Sequence, residues 1–593
     1  ESSSDEEALP AQPLKELVEL EAQQPRGGRP WPRGAVSQLA TRRVEAELVE
    51  TIRHNAFTVV VGDTGCGKST QLPRILLEHG FDSSGLIGVT EPRRLAAVAL
   101  AGRVAEESGV ELGGKVGYQV RFENRAHSGR ARVKFMTDGI LLNEMTGDPL
   151  LRRYAVIVLD EVHERKLPSD VLLGLLSRVC DLRNEEAVAA GRRGETMRPL
   201  RVVLMSATVD LQQFLLNRRL FRQGCGAVRV ESPESRVVVH HSRATPPDYF
   251  QAALAKAVRV HQLMEAGDLL VFLTGREEVQ RFCRLLFEEL LAREEAPPGP
   301  DDDDFEAVPA QSTFHGQADF RAQEAVYAGG HCLAALPFAG RTFVVLPLYS
   351  QLDAERQALV FRQTPGARKI VVATNVAETS LTIDGLRYVI DCGREKRKEI
   401  GAAGLVTHAT RWISQASAEQ RRGRVGRTGP GVCYRLYSLA LLAKLEAQKP
   451  PDVLTLPLHH TLLQLAAIGV RDLPGFPFPT PPAEEALRLT LHRLVQGEAL
   501  RLVKGNYFPT ELGRALALLP LAPHLGKLLL QARRNGLEWV GLPLIAALEV
   551  EELVDAAEMQ LMPRDFLGEL VSRRSDAVTL ANLIGRFIAD SCT

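Results

Sequence analysis

Short runs of β-branched and apolar residues recur along the chain. Each closes in a polar turn and is followed by a helical pattern. Phe57–Val61, Val156–Leu159 and Val202–Met205 lead a first series between residues 41 and 232. A second series between 233 and 436 includes Leu269–Leu273, Thr342–Leu346, Ile370–Ala373 and Tyr388–Asp391. Runs without alternation suit parallel strands covered by helices on both faces. The pattern therefore predicts two α/β domains in tandem. From 437 onward it turns helical and Leu-rich, without the strand–turn–helix rhythm. Two segments lack apolar periodicity. Residues 1–40 read as a polar tail, and about 292–340, with Pro297, Pro298, Pro300 and Asp301–Asp304, as a flexible acidic insertion.

Composition changes this picture little. A length of 593 residues suits about four domains at ~150 residues each. Lys and Arg number 72 against 73 Asp and Glu, so any nucleic-acid surface must be local. The eight cysteines form no C-x-x-C pair, which argues against zinc ribbons and a disulfide framework, so a reducing setting is expected. No apolar run approaches the ~18–20 residues that span a bilayer, so no membrane partner is expected. The first residue is Glu1, which reads as a fragment.

The chemistry is concentrated in motifs. Gly62, Asp63, Thr64, Gly65, Cys66, Gly67, Lys68 and Ser69 fit G-x-x-x-x-G-K-[ST], and a helical pattern begins near Thr70. In such a loop the backbone N–H groups close around phosphate oxygens. Lys68 adds a cation and Ser69 can hold Mg²⁺. Asp160, Glu161, Val162 and His163 follow a second strand. There one carboxylate can bind Mg²⁺ and the other can orient the attacking water. Arg93 and Arg94 suit phosphate contacts on a nucleic-acid backbone, or a solvated helix start. Four arginines within Arg421–Arg427 repel one another unless polyphosphate faces them. Ser206 and Thr208, read by themselves, fit a helix cap.

Taken together, these motifs resemble the DEAH/RHA branch of superfamily 2 helicases over roughly residues 45 to 550. Thr90–Arg94 is similar to motif Ia, Thr137–Gly139 to Ib, Ser206–Thr208 to III and Phe272–Arg276 to IV. Ala373–Ser380 resembles motif V and Gln420–Arg427 motif VI. The resemblance implies two RecA-like domains, then a winged helix over 437–505 and a helical bundle, or ratchet, over 506–593. The chain would stop before the family's OB-fold. It implies ATP and Mg²⁺ held between the two domains by Lys68, Ser69 and Asp160. Glu161 would act as base, Gln420 would place the water, and Arg424 and Arg427 would be the arginine fingers. His163, Ser206 and Thr208 would couple this site to RNA. Arg103 and Phe361 would sandwich the base, and Thr382 and Asp384 would contact the ribose. Arg93, Arg94, Thr137, Thr274, Gly275, Arg276, Thr374 and Asn375 would hold single-stranded RNA.

Within the branch, Gly88–Arg94, Leu346–Ser350, Trp412–Ala418 and Phe476–Pro482 resemble the subgroup of the small-subunit processome. That subgroup implies a nucleolar protein acting on pre-ribosomal RNA or U3 small nucleolar RNA in 18S maturation. Its partners would be ribosome-assembly proteins or an activating peptide. A spliceosomal remodeller, a DNA helicase and an ATPase-dead scaffold remain open. Val162 stands where the branch has Ala, and Arg422 and Val425 replace Ala in motif VI. Both carboxylates and both fingers survive these changes.

Overall fold

A computed structural model describes residues 39–593 apart from 64, 128, 193–198, 208–216, 223, 232–236, 293–325, 329–330, 334–335, 339–340, 379–382, 401–405, 427–428, 550–571, 573–574 and 592–593. The first domain holds eight strands: β1 (Phe57–Gly62), β2 (Leu86–Glu91), β3 (Val116–Val120), β4 (Glu123–Asn124), β5 (Val133–Thr137), β6 (Tyr154–Leu159), β7 (Arg201–Ser206) and β8 (Gly226–Val230). They lie in the order β4-β3-β5-β2-β6-β7-β1-β8. Every pairing in this sheet is parallel except β3–β4. Strand β6 is buried at all six positions, which explains why its sequence does not alternate.

The second sheet orders β13-β14-β15-β10-β16-β19-β9. Its strands are β9 (Val237–His241), β10 (Asp268–Phe272), β13 (Leu336–Phe338), β14 (Arg341–Leu348), β15 (Ala367–Ala373), β16 (Leu386–Asp391) and β19 (Gly431–Arg435). Two parallel-sheet cores in tandem are what the apolar runs predict. The hairpin β17 (Arg394–Ile400) and β18 (Val406–Trp412) lies outside the sheets. Its charged alternation hides it from an apolar-run reading.

Three expected boundaries are corrected. Residue 40, assigned to the tail, is buried and opens the helix Ala40–Arg43. The insertion is not irregular throughout. Its last part carries β11 (Val326–Ala328), β12 (His331–Leu333) and β13, and β13 pairs antiparallel with β14. The Pro and Asp run lies outside the described residues. A division at 505/506 would cut the hairpin β20 (Leu500–Val503) and β21 (Asn506–Pro509) at its turn, where Lys504 and Gly505 adopt φ of 49° and 81°.

The C-terminal region is docked on the first domain. One buried cluster joins Leu172 and Leu176 of the helix Leu167–Arg192 to Leu462, Phe476, Phe478 and Leu491. A Cβ on Gly174 would sit 2.6 Å from Phe476 Cζ, so this approach requires glycine. Arg165 ties the two regions again, donating to Thr480 Oγ1 at 2.7 Å. Among the described residues no single helix is long and apolar enough to cross a membrane.

Candidate nucleotide and nucleic-acid site

Strand β1 delivers the phosphate loop and the helix Lys68–Glu78 receives it. Gly67 caps this helix at φ 92°, a conformation costly for any residue with a Cβ. Lys68 is buried and donates to the carbonyls of Gly62 and Asp63, the latter at 2.9 Å. The loop has a second support that its motif does not reveal. Thr41 is fully buried, and its hydroxyl donates to Cys66 O at 2.8 Å. No local signal in the sequence marks this contact.

Asp160 and Glu161 follow β6, beside the strand β7 that separates them from β1. Glu161 has φ of 52°, a left-handed conformation held at a candidate active site. Its N–H donates to Asp160 Oδ1 at 2.7 Å. Asp160 Oδ2 is buried and receives no hydrogen bond of normal geometry. Burial and the neighbouring Glu161 push its carboxyl up to about 6, while the Ser69 hydroxyl pulls the other way. A buried carboxylate oxygen with a serine hydroxyl beside it fits Mg²⁺. That ion is commonly held by one or two protein groups plus substrate phosphates. Glu91, at the end of β2, extends the acidic wall. Burial, then Asp160 and Glu161, raises it well above the ordinary carboxylate range.

His163 connects this wall to the second domain. Its Nδ1 accepts from Ala207 N at 3.3 Å and lies 3.4 Å from Glu161 Oε2. Its Nε2 lies 2.7 Å from the amide end of Gln420. Gln420 meets the ring through its Nε2, so the first and second domains touch here by a polar side-chain contact. The structure thus brings together Glu161, His163, Gln420 and the residue after Ser206. Ser206 itself is buried at the end of β7, and Thr208 lies outside the described residues.

Motif VI departs from its expected unity. Arg424 is buried, and its Nε donates to Gln420 O at 3.3 Å. Arg427 lies outside the described residues. Arg421 is engaged by carboxylates of its own domain. It is fully buried and pairs with Glu378 and Asp391, each at 2.7 Å. Arg422 pairs with Glu419 at 2.7 Å. Polyphosphate is therefore not needed to offset all four charges, because carboxylates already offset two.

Arg103 and Phe361 sit on different domains. Arg103 donates to Glu107 at 3.0 Å, and Phe361 packs at the edge of the second core. Asp384 is exposed just before β16, while Thr64 and Thr382 lie outside the described residues.

A groove of about 840 Å³ runs between the domains and the C-terminal region. Thr274, Gly275, Arg276, Thr374 and Asn375 line it. So do Lys166, Lys396, Lys398 and Lys449, which the motifs did not mark. Lys396 and Lys398 come from β17, in strand alternation that points both to one face. Thr137 caps the helix Asp138–Gly147 and, like Arg93 and Arg94, is not part of this lining. Arg93 instead bridges the domains, donating to Asn375 O at 2.8 Å and meeting Glu164 at 3.4 Å. Arg94 is exposed, 3.9 Å from Glu123.

Comparison with known proteins agrees with this geometry. A family profile described as "Helicase conserved C-terminal domain" matches residues 331–429. The human "Probable ATP-dependent RNA helicase DHX37" is 36% identical over 589 residues, covering 90% of this chain and 50% of that protein. The Saccharomyces cerevisiae "Probable ATP-dependent RNA helicase DHR1" is 36% identical, covering 83% and 42%. The Schizosaccharomyces pombe "Pre-mRNA-splicing factor ATP-dependent RNA helicase prp22" is 34% identical, covering 93% and 42%. The chain spans half the length of these three relatives, or less. With the two parallel sheets, the motif order and these relatives in view, the chain belongs to the DEAH/RHA family of RNA helicases.

Proposed function

We propose that this protein is an ATP-dependent RNA helicase that moves 3′ to 5′ and remodels pre-ribosomal RNA or releases U3 small nucleolar RNA in the nucleolus. The observation that carries the enzymatic reading is the chain of contacts from Glu161 through His163 to Gln420, which spans the two domains. Lys68 and the loop from Gly62 to Thr70 bind the phosphates. Ser69 and Asp160 would hold Mg²⁺, which would supply positive charge to offset that of the phosphates. Glu161 takes the proton of the attacking water, and Gln420 orients that water. Arg424 and Arg427 approach from the second domain, so hydrolysis requires closure. Thr382 and Asp384 contact the ribose.

Single-stranded RNA lies in the groove and is held by its phosphates. Thr274, Gly275, Arg276, Thr374 and Asn375 supply contacts, with Arg94 and Thr137 further along. The apolar core of the C-terminal region packs on the first domain, while Tyr437 and Lys449 at its start pair with the second. Arg93 and His163 lie where the first and second domains meet and, with Ser206 and Thr208, couple closure to the RNA. The test is hydrolysis of ATP by this chain with Mg²⁺, with and without single-stranded RNA. Stimulation by RNA supports the reading, and a rate indifferent to RNA overturns it.

Two outcomes refine this. Arg103 and Phe361 offer planar faces and no base-edge hydrogen bonds, so ATP, GTP, CTP and UTP should be hydrolysed at similar kcat/KM. A preference for ATP above about a hundredfold, the scale of a discriminating pocket, would sink the sandwich. RNA affinity should fall steeply with salt, and Lys396→Ala with Lys398→Ala should reduce the slope of log K against log salt by about one to two. An unchanged slope places the phosphates elsewhere.

The cellular role rests on the subgroup motifs and on the similarity to DHX37 and DHR1. Ribosome-assembly proteins or an activating peptide would select the target, because phosphate contacts position RNA without reading sequence. Full-length protein carrying Lys68→Ala should accumulate pre-ribosomal particles that retain U3. Normal 18S maturation beside a splicing defect would favour the prp22-like role instead.

A further inference from the structure

At the edge of the first sheet opposite the phosphate loop lies a second groove, of about 850 Å³. Leu86 opens β2, Arg132 precedes β5 and Arg153 precedes β6, and all three line it. In a parallel sheet these N-terminal strand ends lie a full strand length from the loop after β1, on the order of 20 Å. The groove is therefore separate from the nucleotide site, and none of the groove's lining residues belongs to the helicase motifs.

Its charge is one-sided. Arg132, Lys134 and Arg153 face a single lining carboxylate, Glu144. That carboxylate is already engaged. It pairs with the buried Lys134, and its second oxygen accepts from Tyr154 Oη at 2.6 Å. Among the described residues Arg132 has a loose ionic neighbour, Asp82 at 3.8 Å, and its side chain is 52% exposed. Arg153 is exposed beside it. Two cationic forks therefore remain available to an outside carboxylate, the group whose geometry they match.

The neutral lining selects among anions. Gln119 and Asn124 bring amide groups of the kind that pair with peptide backbone. Asn124 accepts from Ala126 N through Oδ1 at 2.9 Å, which leaves its N–H donors for another partner. Leu86, Ala126 and Ala131 supply small apolar walls. The lining holds one aromatic ring, His127, and no Phe, Tyr or Trp, so it offers less stacking surface than the aromatic platforms that single-stranded nucleic acid uses.

We propose that this groove is a docking site for an acidic, extended segment of a partner protein, gripped by Arg132 and Arg153. The site stands apart from the nucleotide chemistry, so its test reads binding alone. The probe is a fluorescein-labelled peptide of alternating Glu and Ser, titrated with the whole chain and followed by anisotropy. Binding should weaken with salt and should fall by about tenfold or more in the double variant Arg132→Glu, Arg153→Glu, the scale of two reversed charges. ATP hydrolysis by that variant should match the parent, which also shows that it is folded. Equal binding of a Gln–Ser peptide overturns the proposal, as does unchanged affinity in the variant. Oligouridylate that displaces the peptide and itself loses affinity in the variant also overturns it, because the groove is then a nucleic-acid track. None of these failures touches the ATPase reading.

Discussion

Glu161→Gln should cut the turnover of ATP by ~10² or more while leaving ATP bound at near its original affinity, the scale of losing a general base. The substitution keeps the shape of the side chain and removes only its ability to take a proton. The geometry explains why no neighbour should substitute. Asp160 is committed through Oδ1 to the Glu161 N–H, and its other oxygen is the candidate metal ligand. Glu91 is buried, and burial with the neighbouring Asp160 and Glu161 raises its carboxyl well above the ordinary carboxylate range. His163 uses Nδ1 to accept from Ala207. Steady-state kcat with saturating RNA gives the first quantity, and nucleotide titration gives the second. Hydrolysis at the parent rate would remove Glu161 from its role. Loss of ATP binding instead would mean that the left-handed turn at Glu161, not its proton chemistry, had been disturbed.

How much of this site the sequence discloses depends on the range of each interaction. The phosphate loop is legible because strand, turn and helix are contiguous and each glycine has a local reason. Asp160 and Glu161 are legible because order along the chain places β6 near β1 in such a sheet. Thr41 is not, since its reason for being there is Cys66, 25 residues on. Lys396 and Lys398 are missed for another cause. The run Arg394–Ile400 alternates charge with charge, so nothing apolar betrays a strand, and only pairing with β18 makes it one. Arg93 reads as an RNA contact from its motif, yet its partner Asn375 O belongs to the other domain. The strands β11 to β13 are short, and β13 follows from its pairing with β14 rather than from its own composition.

Motif VI shows the same limit most sharply, and it yields the largest expected effect on stability. Arg421 and Arg424 are the same residue type in one short motif, yet they do different work. Arg421 sits at the end of the helix Gln415–Arg422 with no exposed side-chain surface. It donates to Glu378 Oε1 at 2.8 Å and to Asp391 Oδ1 at 2.7 Å, and it covers the ring of Phe272 at 4.7 Å. Tyr437 donates to the other oxygen of Asp391 at 2.7 Å. Lys449 closes the knot, 3.3 Å from Glu378 and 2.5 Å from Glu395. Burial alone would raise the Glu378 carboxyl, but Lys449 and Arg421 outweigh it and hold it below the ordinary value. Arg421→Met should therefore cost about 3–5 kcal/mol, because it leaves Asp391 buried and charged without a cationic partner. For a domain of this size that lowers the melting temperature of the second domain by roughly 10 °C. Arg421→Lys should recover little, since a point charge cannot reach both carboxylates as a planar fork does. Arg422→Ala is the contrast: its ion pair with Glu419 is partly exposed, and its loss should be within about 1 kcal/mol. Thermal unfolding of the three variants decides the matter. If Arg421→Met melts with the parent but loses hydrolysis, Arg421 serves the reaction and the knot is not structural. If it melts early while folded protein at low temperature still binds ATP, its charge serves the fold, and the fingers are left to Arg424 and Arg427.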